Sequence, residues 1–270
     1  MEEQNNLINL LITAGIEKQE AQKELSILVK EFGANNSEKI QALINKRIKT
    51  REPIQYLLKK AYFMDFEVRV NKNVLIPRPE TEILVEETIK KCRGVSRNAL
   101  DIGTGSGIIA IALARLVPNI KITAIDISQE VIDLAKENAR NCGVLDKIDF
   151  QVCDLFSSKI EDIFKPKKVD LIISNPPYIK EENWHKLSPE VNRHEPKIAL
   201  TGSQENKTGL VYYERIIELV KKHRATGLIA LEIDPPLVND LKLLLKKLDL
   251  NNYKIIKDYA ELERGLLVSL

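Results

Sequence analysis

The segment Asn98-Ala99-Leu100-Asp101-Ile102 has the apolar character of a short strand, and Gly103-Thr104-Gly105-Ser106-Gly107 follows it at once. The next residues, Ile108 to Leu116, continue as an apolar helical pattern that Pro118 closes. Glycines between a strand and a helix let a ligand approach the backbone, and the start of the helix offers unpaired N–H groups. The sequence therefore predicts a ligand site at this turn of an α/β fold.

The glycine spacing narrows the choice of ligand. Nicotinamide, flavin and S-adenosylmethionine sites all use glycine-rich turns, so the turn alone is weak evidence. Here the spacing is G-x-G-x-G rather than G-x-G-x-x-G, and Asp101 comes just before it. An acid there would repel a pyrophosphate but could bind the ammonium of a methionine moiety. We therefore expect S-adenosylmethionine to bind Asp101 and the loop residues Gly103, Thr104, Gly105, Ser106 and Gly107; a dinucleotide-binding oxidoreductase is the disfavoured alternative.

Two further predicted strands also end in acids. The first ends at Asp126, where a carboxylate can accept hydrogen bonds from two ribose hydroxyls. The second ends at Asp154-Leu155, where the acid can take an adenine amino group and apolar side chains can hold the ring. Ile127, next to Asp126, is expected in the same donor site. Each acid taken singly could be a loop or cap residue, but acids at three successive strand ends favour a binding site.

A fourth strand ends in a stiff loop. The apolar run Val169–Ser174 predicts a buried parallel strand, and Asn175-Pro176-Pro177-Tyr178 follows it. Two prolines end the strand pairing because neither has a backbone N–H to donate. The Asn175 side-chain oxygen and the Pro176 carbonyl can each accept one hydrogen of a planar –NH2 group, while Tyr178 covers its face. The alternative is a rigid turn without a functional role.

Together the two sites predict N-methylation. We expect Asn175, Pro176 and Tyr178 to be catalytic, Pro177 to join them in binding the acceptor, and Asn175 also to contact the donor.

These motifs resemble those of class I S-adenosylmethionine-dependent methyltransferases of the N-P-P-Y subgroup. Two further segments, Arg51–Tyr56 and Val74–Glu82, are similar to signatures of the PrmC/HemK family, the protein-(glutamine-N5) methyltransferases acting on peptide chain release factors. The resemblance implies a Rossmann-like sheet, parallel with one antiparallel edge strand, preceded by a small helical bundle and a β-hairpin linker. The chain departs from the family pattern at His194-Glu195-Pro196, at Thr201-Gly202-Ser203 and after Glu232.

The resemblance also implies the reaction: methylation of the side-chain amide of the glutamine in the GGQ motif of a release factor, with S-adenosyl-L-methionine as donor. Two alternatives of the same N-P-P-Y class are a glutamine of a ribosomal protein and adenine in nucleic acid. A non-catalytic scaffold that keeps the fold is a third. Adenine methylation usually requires base extrusion and a basic recognition region, and neither terminal segment here is basic enough to favour it.

The expected domains are 1–60, a helical substrate-recognition domain; 61–77, a β-hairpin linker; and 78–270, the methyltransferase domain. In the linker, a strand over Phe63–Val70 is expected to turn at Asn71–Asn73 into a second strand at Val74–Ile76. The polar stretch from Ile179 to Lys207 predicts a long loop over the acceptor site.

Composition sets the remaining expectations. The 270 residues carry a formal net charge of +2, which gives no electrostatic demand for nucleic acid or a membrane. Six basic residues are expected as solvated charges, with docking of an acidic protein or a ribosome-linked partner as the alternative: Lys165, Lys167, Lys168, Lys221, Lys222 and Arg224. Three cysteines and three dispersed histidines favour reduced thiols and no metal. The acidic start and the absence of a long apolar run predict a cytoplasmic enzyme without a membrane segment, and we expect a monomer.

Overall fold

The computed structural model describes residues 2–92, 98–164, 169–223 and 227–270. Its α-helices are α1 (Glu2–Thr13), α2 (Lys18–Phe32), α3 (Ser37–Thr50), α4 (Ile54–Leu58), α5 (Pro79–Cys92), α6 (Ile108–Leu116), α7 (Gln129–Asn141), α8 (Lys159–Phe164), α9 (Pro189–His194), α10 (Lys197–Thr201), α11 (Val211–Lys222) and α12 (Val238–Lys247). Its strands are β1 (Lys60–Phe63), β2 (Phe66–Arg69), β3 (Asn98–Ile102), β4 (Lys121–Asp126), β5 (Ile148–Val152), β6 (Leu171–Ser174), β7 (Leu228–Glu232), β8 (Tyr253–Lys257) and β9 (Glu263–Ser269). Short 3-10 helices lie at Leu145–Lys147, Glu181–Lys186 and Pro235–Leu237.

The chain divides into two compact units. One comprises residues 1–59 together with 188–194, and the other comprises 60–187 and 195–270. Residues 188–194, which contain α9, group with the N-terminal helices, whereas the expected domain boundaries placed them in the methyltransferase domain.

The helical unit is built from amphipathic helices whose apolar stripes face one another. Leucine and isoleucine side chains at three- and four-residue steps form its buried core: Leu7, Leu11, Ile16, Leu25, Leu28, Ile40, Ile44 and Ile54. Arg47 and Glu24 are both buried and form an ion pair, with 2.9 Å between Nε and Oε1. Arg47 also contacts Glu190 of α9 at 3.0 Å, and Arg51 contacts the same carboxylate at 2.6 Å. These ion pairs attach α9 to the N-terminal helices.

The second unit contains, among the described residues, a seven-stranded sheet in the order β5-β4-β3-β6-β7-β9-β8. Strands β3 to β7 are parallel, and β9 runs antiparallel to both β7 and β8. The α/β class and the mostly parallel sheet are confirmed; the antiparallel strand is next to the edge strand β8 rather than at the edge. Strand order reverses between β3 and β6, and open α/β sheets bind ligands at such a point.

The linker hairpin differs from the expectation. Strands β1 and β2 pair around Met64-Asp65, with Phe63 opposite Phe66. Asn71 does start a turn, because Val74 N–H donates to its carbonyl at 3.1 Å. Val74–Ile76 then continues without strand pairing, so the prediction of a second strand there was wrong.

Several residues bear on the expectations from composition. Lys165, Lys167, Lys168 and Arg224 lie outside the described residues, and Lys221 and Lys222 are exposed. No helix in the described part of the chain has the length and apolar composition needed to cross a bilayer. Within the same residues, no group of three or more His, Cys, Asp or Glu is arranged to bind a metal ion.

Candidate active site

A cavity of about 320 Å³ opens at the carboxyl ends of β3, β4, β5 and β6. Its volume lies in the range of small-molecule sites, and it coincides with the reversal of strand order between β3 and β6. Most of the site residues predicted from the sequence form its wall: Gly103, Thr104, Gly105, Ser106, Asp126, Ile127, Asp154, Leu155, Asn175, Pro176 and Pro177. Asp101, Gly107 and Tyr178 are not part of the wall.

The glycine-rich turn joins β3 to α6. Gly103 and Thr104 donate their N–H groups to the Ile125 carbonyl, each at 2.9 Å, which fixes the turn on β4. Gly103 and Gly105 both have positive φ, and a Cβ added to either would meet no atom within 4 Å. The turn therefore leaves open space on its cavity side, where a ligand can approach the backbone.

Asp126 is the last residue of β4, and Asp154 lies just after the end of β5. Asp126 Oδ2 accepts the Gly105 N–H at 3.1 Å, and Oδ1 accepts the Ser128 N–H at 3.3 Å. Burial raises the pKa of the Asp126 carboxyl, although these backbone donors oppose the shift. Asp154 Oδ1 accepts the Phe156 N–H at 2.9 Å. Both side chains are only partly buried, so each carboxylate retains access to the cavity.

Asp101 is fully buried beneath the turn. Its Oδ2 accepts the Thr104 hydroxyl at 2.7 Å, and its Oδ1 is buried with no hydrogen-bond partner among the described residues. Burial raises the pKa of Asp101 to about 7, against the opposing effect of the hydrogen bonds from Thr104 and the Ala110 N–H. In this arrangement Thr104, rather than Asp101, reaches the cavity, and the direct contact of Asp101 with a donor ammonium stays a prediction.

The Asn175–Tyr178 loop is held from several sides. Asn206 Nδ2 donates to the Pro177 carbonyl at 3.3 Å, and the Ile179 N–H donates to the Leu200 carbonyl at 2.9 Å. A Cβ on Gly209 would come within 2.9 Å of the Tyr178 carbonyl, so only glycine fits beside the loop without displacement. These contacts hold the loop in place, and its first three residues, Asn175 to Pro177, form part of the cavity wall.

Two hydrogen-bond routes connect this loop to Glu232 at the end of β7. Asn175 Nδ2 donates to Thr81 Oγ1 at 3.4 Å, and the Thr81 hydroxyl donates to Glu232 Oε2 at 2.5 Å. The Tyr178 hydroxyl donates to the other oxygen, Oε1, at 3.4 Å. Burial raises the pKa of Glu232 to about 7, and burial also raises that of Tyr178. The predicted aromatic cover thus lies beside the wall with its hydroxyl turned to Glu232.

Sequence reasoning missed several wall residues. The segment from Asn73 to Arg78 and Thr81 lines the cavity, as do Pro196, Ile198, Ser203 and Tyr212. The first segment carries the family signature, which could have marked it as part of the site. The stretch expected as one long loop contains the 3-10 helix Glu181–Lys186, α9 and α10.

Comparison with known proteins agrees with this geometry. Residues 95–201 match a family model described as a methyltransferase domain. The chain is 35% identical over 242 residues to the release factor glutamine methyltransferase of Thermodesulfovibrio yellowstonii, covering 88% of this chain and 83% of that protein. It is 42% identical over 200 residues to the release factor glutamine methyltransferase of Bacillus anthracis, covering 72% and 68%.

Among solved structures, the N-terminal domain of human METTL16 in complex with SAH superposes with a TM-score of 0.53 at 16% identity, covering 88% of this chain and 83% of that one. At this identity the likeness supports the class I methyltransferase fold alone. The sequence relatives go further, because they exceed 30% identity over most of both chains. The chain belongs to the family of release factor glutamine methyltransferases.

Proposed function

We propose that this enzyme transfers a methyl group from S-adenosyl-L-methionine to the side-chain amide nitrogen of the glutamine in the GGQ motif of peptide chain release factors. One observation carries the proposal: Asn175 and Pro176 line the same cavity as the glycine-rich turn, Asp126 and Asp154. A carboxamide held at Asn175 would therefore share this cavity with the donor. The family relatives carry the same activity in their names.

The residues of the cavity fit the donor. The open space beside Gly103 and Gly105 suits its amino-acid portion, and the Asp126 carboxylate can accept from the ribose hydroxyls. Asp154 can accept from the adenine amino group, while Leu155 and Ile127 supply apolar surface for the ring. When bound, S-adenosyl-L-methionine supplies an electron-poor methyl carbon to the reaction.

The acceptor side must compensate for a poor nucleophile, because the lone pair of a carboxamide nitrogen is delocalised into its carbonyl. The Asn175 side chain donates a hydrogen bond from Nδ2 to Thr81 Oγ1, so its Oδ1 can accept one hydrogen of the substrate –NH2. The Pro176 carbonyl can accept the other. Holding reacting groups in line can contribute roughly 7–11 kcal/mol to lowering a barrier. Two acceptors on the –NH2 also stabilise the positive charge that develops on nitrogen.

The finer expectations are part of the same proposal. We propose that the helical unit, residues 1–59 with 188–194, helps to recognise the release factor. A release factor acts on the ribosome, so the enzyme would work in the cytoplasm. A monomeric state and the lack of stable nucleic-acid binding stay predictions.

Mass spectrometry of a purified release factor, incubated with this protein and S-adenosyl-L-methionine, tests the proposal. We expect one methyl group on the GGQ glutamine, and none on a release factor in which that glutamine is replaced by alanine. A methyl group on another residue, or on a ribosomal protein or DNA instead, would overturn it. Thermal protection by S-adenosyl-L-methionine but not by NAD would separately test the donor.

Asn175→Ala tests the role of the acceptor clamp. Because loss of alignment alone can cost about a hundredfold in rate, kcat should fall by at least that factor. The Kd for the donor, measured by calorimetry, should stay within about threefold, which is less than 1 kcal/mol. A variant with near wild-type turnover would contradict the clamp.

A further inference from the structure

We propose that Thr81 and Glu232 are positioning residues that orient the Asn175 carboxamide, with its oxygen toward the acceptor and its nitrogen away from it. This inference rests on the proposed function, since it concerns the group that grips the substrate amide. The two residues are 151 positions apart in sequence, and the hydrogen bond between them is buried. Neither residue needs to touch a substrate for the effect.

A carboxamide ends in an oxygen that accepts hydrogen bonds and an –NH2 that donates them. The –NH2 and oxygen of an asparagine have nearly the same shape, so the hydrogen-bond partners decide which way the group faces. In the clamp, only the oxygen of Asn175 can accept a hydrogen from the substrate amide. If the group were reversed, its own –NH2 would face the –NH2 of the substrate, and no hydrogen bond could form between two hydrogen-bond donors.

Thr81 can fix this choice because a hydroxyl has a single proton. An ionised carboxylate can only accept hydrogen bonds. With Glu232 ionised, the Thr81 proton therefore points to Glu232 Oε2, 2.5 Å away. The hydroxyl oxygen is then left to accept, and the group 3.4 Å away on Asn175 has to be the –NH2. The charge on Glu232 thus sets the direction of the Asn175 amide.

Tyr178 reinforces the same state. Its hydroxyl donates to Glu232 Oε1 at 3.4 Å. Both oxygens of the Glu232 carboxylate therefore accept hydrogen bonds, one from Tyr178 and the other from Thr81, which in turn contacts Asn175. The Tyr213 hydroxyl donates to the Glu232 backbone carbonyl at 2.8 Å and fixes the residue at the end of β7. One carboxylate therefore serves both ends of the N-P-P-Y loop.

Protonation of Glu232 would remove the constraint. A neutral carboxyl can donate to Thr81, which frees the Thr81 proton to face Asn175 and favours the reversed amide. Burial and the carboxylate of Glu80 raise the pKa of Glu232, whereas Thr81, Arg78 and Tyr178 lower it, and the balance is about 7. Asp234 is a further acid near the phenol groups of Tyr178 and Tyr213. Turnover should accordingly rise as pH increases through this range.

The test compares Thr81→Val, which removes the hydroxyl at similar volume, with Thr81→Ser, which keeps it. At saturating donor, Thr81→Val should lower kcat by at least about tenfold while the donor Kd changes little, since misalignment reduces rate without weakening a distant contact. Thr81→Ser should restore most of the lost kcat. Thr88→Val is the matched control on α5, because Thr88 is also buried but donates only to the Leu84 carbonyl; its kcat should equal that of the wild type.

Glu232→Gln tests the pH dependence of kcat, which should not change if Glu232 has a purely structural role. Glutamine does not titrate, so the rise of kcat near pH 7 should flatten in this variant. Equal kcat for Thr81→Val and wild type, equal loss in Thr81→Val and Thr81→Ser, or an unchanged pH profile in Glu232→Gln would each overturn the proposal. Failure of the wild-type protein to methylate a release factor would instead reject the proposed function, so the two failures are distinguishable.

Discussion

Glu195 holds Arg78 at the wall of the cavity. Arg78 Nη2 lies 2.5 Å from Glu195 Oε1, and Glu195 Oε2 accepts the Ile76 N–H at 3.2 Å. The Glu195 side chain is 1% exposed, whereas that of Arg78 is 32% exposed. The Glu195 carboxylate therefore connects the segment after the hairpin to the segment that begins at Pro196, and both segments line the cavity.

Arg78→Ala should destabilise the protein because it leaves a buried carboxylate without its counter-ion. We expect a loss of about 1–3 kcal/mol in the free energy of unfolding, measured by urea denaturation. Glu137→Ala is the control, since its ion pair with Arg69 is exposed and such pairs contribute about 1 kcal/mol or less. Equal stability of the two variants would show that the Arg78 ion pair is not needed.

Gly107→Ala should destabilise the turn before α6 for two reasons. Gly107 has a φ of +86°, and an added Cβ would lie 3.2 Å from the Ala135 Cβ. The left-handed backbone costs roughly 1–2 kcal/mol for a residue with a side chain, and the tight contact with α7 adds to it.

Gly143→Ala separates these two effects. Gly143 has a φ of +69° but no atom within 4 Å of an added Cβ, so its substitution should incur the backbone cost alone. Thermal denaturation of both variants provides the measurement. A Gly107→Ala variant no less stable than Gly143→Ala would mean that α7 moves away without cost.

The stability of the ligand-free protein should fall as pH rises toward neutrality. The pKa values of Asp101 and Glu232 are each raised to about 7 in the folded protein, whereas both groups ionise near pH 4 when unfolded. Between these values the folded state binds more protons than the unfolded state, so the free energy of unfolding decreases with pH. The slope is at most about 1.4 kcal/mol per pH unit for each group.

Asp101→Asn should remove the contribution of Asp101 to this pH dependence, because asparagine has nearly the same shape as aspartate and does not titrate. The free energy of unfolding of both proteins can be measured by urea denaturation at pH 5 and pH 7.5. The wild-type value minus the variant value should be smaller at pH 7.5 than at pH 5. A difference that stays constant with pH would contradict the raised pKa of Asp101.

Arg47→Met should strongly destabilise the helical unit. The Glu24 side chain is 2% exposed and one of its oxygens has no hydrogen-bond partner among the described residues, so Arg47 is its main compensation. Loss of one partner of such a buried pair costs roughly 3–5 kcal/mol. The double variant Glu24→Leu/Arg47→Met should recover most of this loss, and Lys23→Ala, exposed on the same helix, should change little. A double variant as unstable as the single one would contradict a penalty from uncompensated charge.

The parallel strands and the glycine-rich turn could be predicted because each has a local cause. Apolar runs such as Leu171–Ser174 are buried on both faces, and Ser128 caps α7 by accepting the Val131 N–H. The ends of successive parallel strands meet at one edge, so residues distant in sequence could be assigned to one site before the structure was known.

Interactions between distant segments could not be predicted in this way. Thr81 and Glu232 approach each other only because α5 packs on the sheet, and no spacing in the sequence records that contact. The hairpin was misplaced for a related reason: Asn71–Asn73 has the composition of a turn, whereas the actual hairpin turn begins at Met64, whose φ of +50° has no compositional signal. Strand pairing of Phe63 with Phe66 decides that turn.

The grouping of residues 188–194 with the first 59 residues has a consequence for dissection of this enzyme. The polypeptide passes from one unit to the other at three covalent junctions, after Lys59, after Leu187 and after His194. After a protease cut at Lys59, the N-terminal helices would be held to α9 only by non-covalent contacts, which include the ion pairs of Glu190 with Arg47 and Arg51, and deleting these helices would remove both arginines. The N-terminal helices therefore belong to a discontinuous unit that includes α9, and a truncation at Lys59 would not isolate that unit whole.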